Sequence, residues 1–158
     1  MDELLAYRQG LISGLEGVIT ELSRIVAAMS ANTWQLSSEQ GAHTPHYTLT
    51  HLRVLEAKVF SPLLRSIADQ GIPLLPVFDD IAWMASHYES EKPAQVIFEE
   101  FTYLRRQEIQ WLQALPQASW SISARHLWWG VHTLQWWVEL QLDYSHQHLS
   151  ALAAFLTI

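Results

Sequence analysis

The residues of this chain best suited to chemistry lie in two apolar stretches with helical patterning. One is Leu49-Thr50-His51-Leu52-Arg53-Val54-Leu55-Glu56, the other Leu142-Asp143-Tyr144-Ser145-His146-Gln147-His148-Leu149. His51 precedes Leu55 by four residues and Val59 by eight, so it shares their helical stripe. His146 lies beside Ser145, toward the seam of its own helix. Two such helices packed together bring imidazoles into one interior pocket, as in metal sites built inside helical bundles. The plainer alternative is a pair of core histidines, each donating one hydrogen bond to a backbone carbonyl. A site of the first kind gains a further ligand one turn before His146, and that position holds Leu142.

Neighbouring residues widen the choice of donors. Asp143 precedes His146 by three residues, placing it to orient the ring, to ligate a metal, or simply to face solvent. His132, Glu139 and His146 recur every seven residues and so line one side of a helix over about four turns. His148 is rotated about 200° from His146, so the two cannot chelate one ion on a regular helix. Arg105 and Glu108, three apart, form an expected ion pair that avoids an unpaired buried charge. Glu108 is also a conceivable metal donor. His43, His87 and His126 fall in expected loops and are assigned to the surface.

Four helical stripes position these groups. The first helix spans about Asp2 to Ser30, with Leu11, Leu15, Val18, Leu22, Ile25 and Met29 on one face. Gly10, Gly14 and Gly17 lower its propensity but leave room for a neighbouring helix. After a polar connection from Ala31 to Tyr47, Thr48 caps a second helix that runs to about Ile67. Pro62 should kink it by removing the bond to Lys58, and Gly71 ends it. A long crossover from Ile72 to Glu91 holds the acidic pair Asp79 and Asp80 and a short helix near Ile81 to Ser86. The third helix starts near Pro93 and ends by Pro116. A tryptophan-rich link from Gln117 to Gly130 precedes the last helix, which begins near Val131 and reaches the C-terminus. No alternating run suggests a strand. The fold class is all-α: a single domain over residues 1–158, a four-helix bundle with long crossover connections.

Composition removes several function classes. A net charge of −7, with only nine scattered basic residues, disfavours nucleic acid. The absence of cysteine excludes thiolate chemistry and iron–sulfur clusters supplied by the chain itself. No apolar run approaches the roughly 20 residues that cross a bilayer, and no charged-then-apolar leader opens the chain. A cytoplasmic protein without membrane partners is therefore expected. Eight tryptophans in 158 residues exceed what one core needs, since the neighbours Trp136 and Trp137 point about 100° apart. The surplus is expected to line a small-molecule pocket or to enter a homodimer interface.

Taken together, the motifs resemble the DinB-like (DinB/YfiT-related) superfamily. His51, Leu52 and Glu56 match a His-Leu-x-x-x-Glu pattern, and Phe101 and Arg105 a Phe-x-x-x-Arg pattern. Gly130, Thr133 and Leu134 match Gly-x-x-Thr-Leu, followed at the expected distance by Asp143 and His146. The resemblance implies a bundle, often dimeric, with a divalent zinc or nickel ion held by three histidines. It assigns His51 and His146 as ligands, with Asp143 beside them, and puts the middle ligand at Leu142, which cannot coordinate. The implied metal is then weakly bound or absent, and the centre degenerate. The enzyme alternative is a metal-dependent hydrolase, or a thiol-dependent transferase or isomerase. It uses His51 and His146 with Asp143, Glu139 or Glu108 as substitute ligand.

Overall fold

A computed structural model describes residues 2–37, 43–70, 74–75 and 77–157. The first helix, α1 (Glu3–Ala28), opens with the Asp2 carboxylate accepting from the Leu4 N–H at 3.0 Å. It buries Leu11, Leu15, Val18, Leu22 and Ile25 as the stripe predicts. Of its three glycines only Gly14 meets a neighbour. A β-carbon there would lie 2.9 Å from Leu142 Cδ2, so this glycine is the notch that receives Leu142. Gly10 and Gly17 face open space.

The helix α2 (Pro45–Val54) begins earlier than expected. Thr44, not Thr48, is its N-cap, its hydroxyl accepting from the Tyr47 N–H at 3.1 Å, and Pro45 fills the first turn. A wide π-helical turn, Leu55–Phe60, then leads into α3 (Ser61–Gln70). Here the Ser61 N–H bonds to Glu56 O, five residues back. This turn lies directly before Pro62, whose nitrogen has no proton to give, and the helix passes through the proline instead of breaking at it. Gly71, read as its stop signal, and the prolines Pro73 and Pro76 lie outside the described residues.

A short α4 (Asp80–His87) is capped by Asp79, whose carboxylate accepts from Ala82 N–H at 2.9 Å. The third long segment is α5 (Ala94–Ala114), and the last α6 (Leu134–Ala153), capped by the Thr133 hydroxyl. The principal packing contacts of α1 and of α2 are both with α5 and α6. That square brings the His51 helix beside the last one, as the bundle reading requires.

The expectation of no strand is overturned. β1 (Leu74–Leu75) pairs in parallel with β2 (Ser123–His126), which pairs antiparallel with β3 (Gly130–Thr133). The strands are too short for alternation to announce them. His126 pairs with Gly130 across a three-residue loop, and Gly130 takes φ +81°, the left-handed geometry such hairpins demand. Because β3 uses residues 130–133, α6 begins at Leu134 instead of Val131. His132 therefore lies on a strand, and the row His132–Glu139–His146 does not share one helix face. Among the described residues no helix is long and apolar enough to cross a membrane.

Candidate metal centre and adjoining cavity

The helix phase of α6 decides which histidine enters the bundle. Its buried residues include Trp137, Gln141, Ser145, Leu149 and Leu152. Counting from Gln141 by four, three and four gives Ser145, His148 and Leu152, one stripe. His148 is on that stripe. His146 and Asp143 are exposed, and Asp143 accepts from the Gln147 side-chain amide at 3.0 Å. The expected grouping of His51 with His146 and Asp143 is thus corrected: the ring that meets His51 is that of His148. Leu142 is spent on the Gly14 notch of α1 and covers no ligand position.

His51, His148 and Asp80 form a chain of hydrogen bonds. His51 Nε2 lies 2.6 Å from Asp80 Oδ2, and His51 Nδ1 lies 2.9 Å from His148 Nε2. His148 Nδ1 in turn lies 2.7 Å from the Tyr144 carbonyl oxygen. Proton counting fixes the roles. The carbonyl can only accept, so His148 Nδ1 carries a proton; the Asp80 carboxylate accepts from His51 Nε2–H. The inner nitrogens, His51 Nδ1 and His148 Nε2, are left facing each other, with room between them for one shared cation, a proton or a metal ion. The bond from His51 holds the Asp80 carboxyl below the usual carboxylate range. Burial pushes His148 below the usual histidine value.

This is also how metal-binding histidines are prepared. Each outer nitrogen donates to an oxygen, one a carboxylate and one a carbonyl, which fixes the tautomer and aims the inner nitrogen at the other ring. The inner nitrogens are a hydrogen-bond length apart. Two zinc–nitrogen bonds of about 2.0–2.1 Å at a tetrahedral angle need about 3.4 Å, so the rings must part by about 0.5 Å. Among the described residues no group of three or more histidine or acidic side chains is disposed to hold one ion. The reason is visible in His51: its two nitrogens face different partners, so Asp80 and His148 cannot converge on one point. The residues fit an ion held by two histidines, with Asp80 behind the first of them.

The expected Arg105–Glu108 pair is also corrected. Arg105 reaches across the bundle to Glu56, donating from Nε at 3.0 Å and from Nη2 at 2.9 Å. It also donates to Leu15 O at 3.3 Å and to Ser145 Oγ at 2.9 Å. Gln141 links Glu56 to Glu108 through its amide nitrogen. Every member of this cluster is buried. Burial, and then the charge of Glu56, push Glu108 well above the usual carboxylate value, so it is held protonated. Neither Glu108 nor Glu139 serves as a substitute ligand; Glu139 accepts from the Tyr7 hydroxyl at 2.9 Å.

Beyond Asp80 opens a cavity of about 290 Å³, which Asp80 and Tyr144 share with aromatic side chains from the wide turn, the crossover, the hairpin and α6. The surplus tryptophans are partly accounted for here, since Trp128, Trp129 and Trp137 line it. His43 and His87 are exposed as expected, but His126 is buried at 6% exposure and lines this cavity too. Its Nδ1 accepts from the backbone N–H groups of Trp128 at 3.1 Å and Trp129 at 3.2 Å. Sequence reasoning missed Asp80, His148 and His126 as site residues. A signal existed for His148 in the 141–145–148–152 spacing; Asp80 and His126 carry no periodic signal, because a crossover and a hairpin bring them in.

No protein-family model matches the chain, and no curated protein matches it. Among solved structures it is similar to YfiT from Bacillus subtilis, described as a probable metal-dependent hydrolase with an unusual four-helix bundle topology. The TM-score is 0.83 at 17% sequence identity, covering 94% of this chain and 85% of that one. The likeness establishes the shared bundle fold.

Proposed function

We propose that this protein binds a divalent metal ion weakly between His51 and His148 and uses it for hydrolytic chemistry at the mouth of the adjoining cavity. The observation that carries this reading is the double preparation of the pair, with both outer nitrogens bonded to oxygen acceptors and both inner nitrogens facing each other. The description of YfiT as a probable metal-dependent hydrolase supports the reaction class. His51 Nδ1 and His148 Nε2 would hold the ion, which would supply Lewis-acid activation of water or of a carbonyl. Asp80 holds the His51 tautomer and compensates charge, and the Tyr144 carbonyl does the same positional work for His148. Burial, Asp80 and Asp143 raise the Tyr144 phenol above its usual value, so it stays protonated beside the centre.

Calorimetric titration of tag-free protein with zinc and nickel tests the reading. The wild type should bind one ion in the micromolar range, and His51→Ala or His148→Ala should abolish binding. His146→Ala and Asp143→Ala should leave it unchanged. Tyr144 occupies the position one turn before His148, so Tyr144→His should tighten binding by adding an i, i+4 partner, whereas Leu142→His, aimed at α1, should not. Binding that survives His51→Ala would reduce the pair to a structural hydrogen bond.

A further inference from the structure

We propose that the cavity beside Asp80 is a binding site for a neutral aromatic molecule carrying a carbonyl acceptor, which His126 Nε2–H hydrogen-bonds. This names a substrate class for the hydrolytic reading and rests on that reading only in calling the ligand a substrate.

His126 Nδ1 accepts two backbone N–H bonds, so the ring's single proton in the neutral form is on Nε2. That donor has no protein acceptor among the described residues, although the side chain is more than nine-tenths buried in the cavity wall. Trp137, fully buried in the same wall, also carries an Nε1–H without an acceptor. The Trp137 donor is itself buried, which is costly, whereas His126 Nε2–H stays accessible in the cavity wall and can be satisfied by what enters the space. Burial depresses His126 and so keeps the ring neutral at physiological pH.

The shape and charge of the space define the rest of the ligand. Phe60, Phe78 and Leu140 supply apolar surface, and Trp128 and Trp129 stand at the hairpin tip with 61% and 43% exposure. Aromatic faces at such a rim favour a flat ring, which stacks or meets them edge to face. Asp80, already ionised, repels an anion, and the Lys58 ammonium lies over the Trp83 ring at 6.0 Å. Donors with an apolar wall select a neutral carbonyl compound.

Equilibrium dialysis of chelator-treated protein with 2-acetylnaphthalene and with 2-ethylnaphthalene tests the site without any metal. The two probes share shape and differ in the acceptor. The ketone should bind at least as tightly as the hydrocarbon, although the hydrocarbon leaves water more readily. His126→Leu should cost the ketone about tenfold and spare the hydrocarbon, and Leu140→Trp, which fills the cavity, should abolish both. Should His126→Leu disturb the hairpin, the wild-type ratio alone decides. Hydrocarbon binding tenfold tighter than ketone would overturn the directed donor, and no binding of either would overturn the site. His51→Ala should leave probe binding intact, so failure of the metal reading and failure of this one are separate results.

Discussion

Two polar assemblies join the His51–Phe60 region to α6, and they solve the same electrostatic problem in opposite ways. In the interior, Arg105 meets Glu56 through two donors and reaches Leu15 O and Ser145 Oγ with the others. At the rim, His51 and His148 are strung between the Asp80 carboxylate and a backbone carbonyl. The first sets the Arg105 charge against that of Glu56, with burial raising Glu108 beside them; the second sets the Asp80 carboxylate against two imidazoles whose inner nitrogens face each other. The difference lies in what each can exchange. A guanidinium cannot lose a proton and is fixed by geometry, whereas an imidazole nitrogen can give up a proton to make room for a cation. The first assembly serves cohesion; the second is where the proposed chemistry would lie.

The largest effect should come from the interior. Arg105→Ala strands the Glu56 charge beside Glu108 in a buried site and should cost about 3–5 kcal/mol in chemical denaturation. A loss below about 1 kcal/mol would erase the proposed contrast, because the rim pair would then be the firmer of the two.

Next in size, Asp80→Asn should weaken zinc or nickel binding about 10–100-fold by loosening the His51 tautomer, as loss of an outer partner does in metal sites. Folding stability near neutral pH should change far less than in the Arg105 variant. An unchanged metal affinity would show that Asp80 has no part in the centre.

The smallest effect, and the sharpest in sign, concerns pH. Glu108 is raised in the fold, so its contribution is fully present below the unfolded value of about 4.3 and is lost as pH rises through the folded value. Asp80 and His148 are depressed, so theirs are present above the unfolded values of about 3.9 and 6.5 and are lost as pH falls through the folded ones. Glu108→Gln should therefore stabilise the protein at neutral pH and remove the decline on the alkaline side, while keeping the acid-side decline. Denaturant midpoints between pH 4 and 8 read this directly; a variant curve parallel to the wild type would mean that Glu108 is ionised in the fold.

The bundle was legible because its stripes are long. Leu11 to Ile25 repeat their spacing over several turns, and burial follows the pattern. His51 was legible for the same reason. The partner histidine was not, since His146 and His148 differ by about 200° and the choice depends on how α6 is rotated. That rotation is set by Leu142 seating on Gly14 of α1, a contact between distant positions. Arg105 was recognised as a buried charge, but its partner Glu56 lies 49 residues away, and no local spacing favours it over Glu108.

The wide turn at Leu55–Phe60 bears on kinship. A relative whose helix runs there without interruption would have one residue fewer between its counterparts of His51 and Pro62. Matching the two chains without a one-residue gap would displace everything after the turn by about 100° around the helix axis. Core positions such as Leu63, Leu64 and Ile67 would then be paired with surface ones. Homologues of this chain would look more distant than their packing makes them.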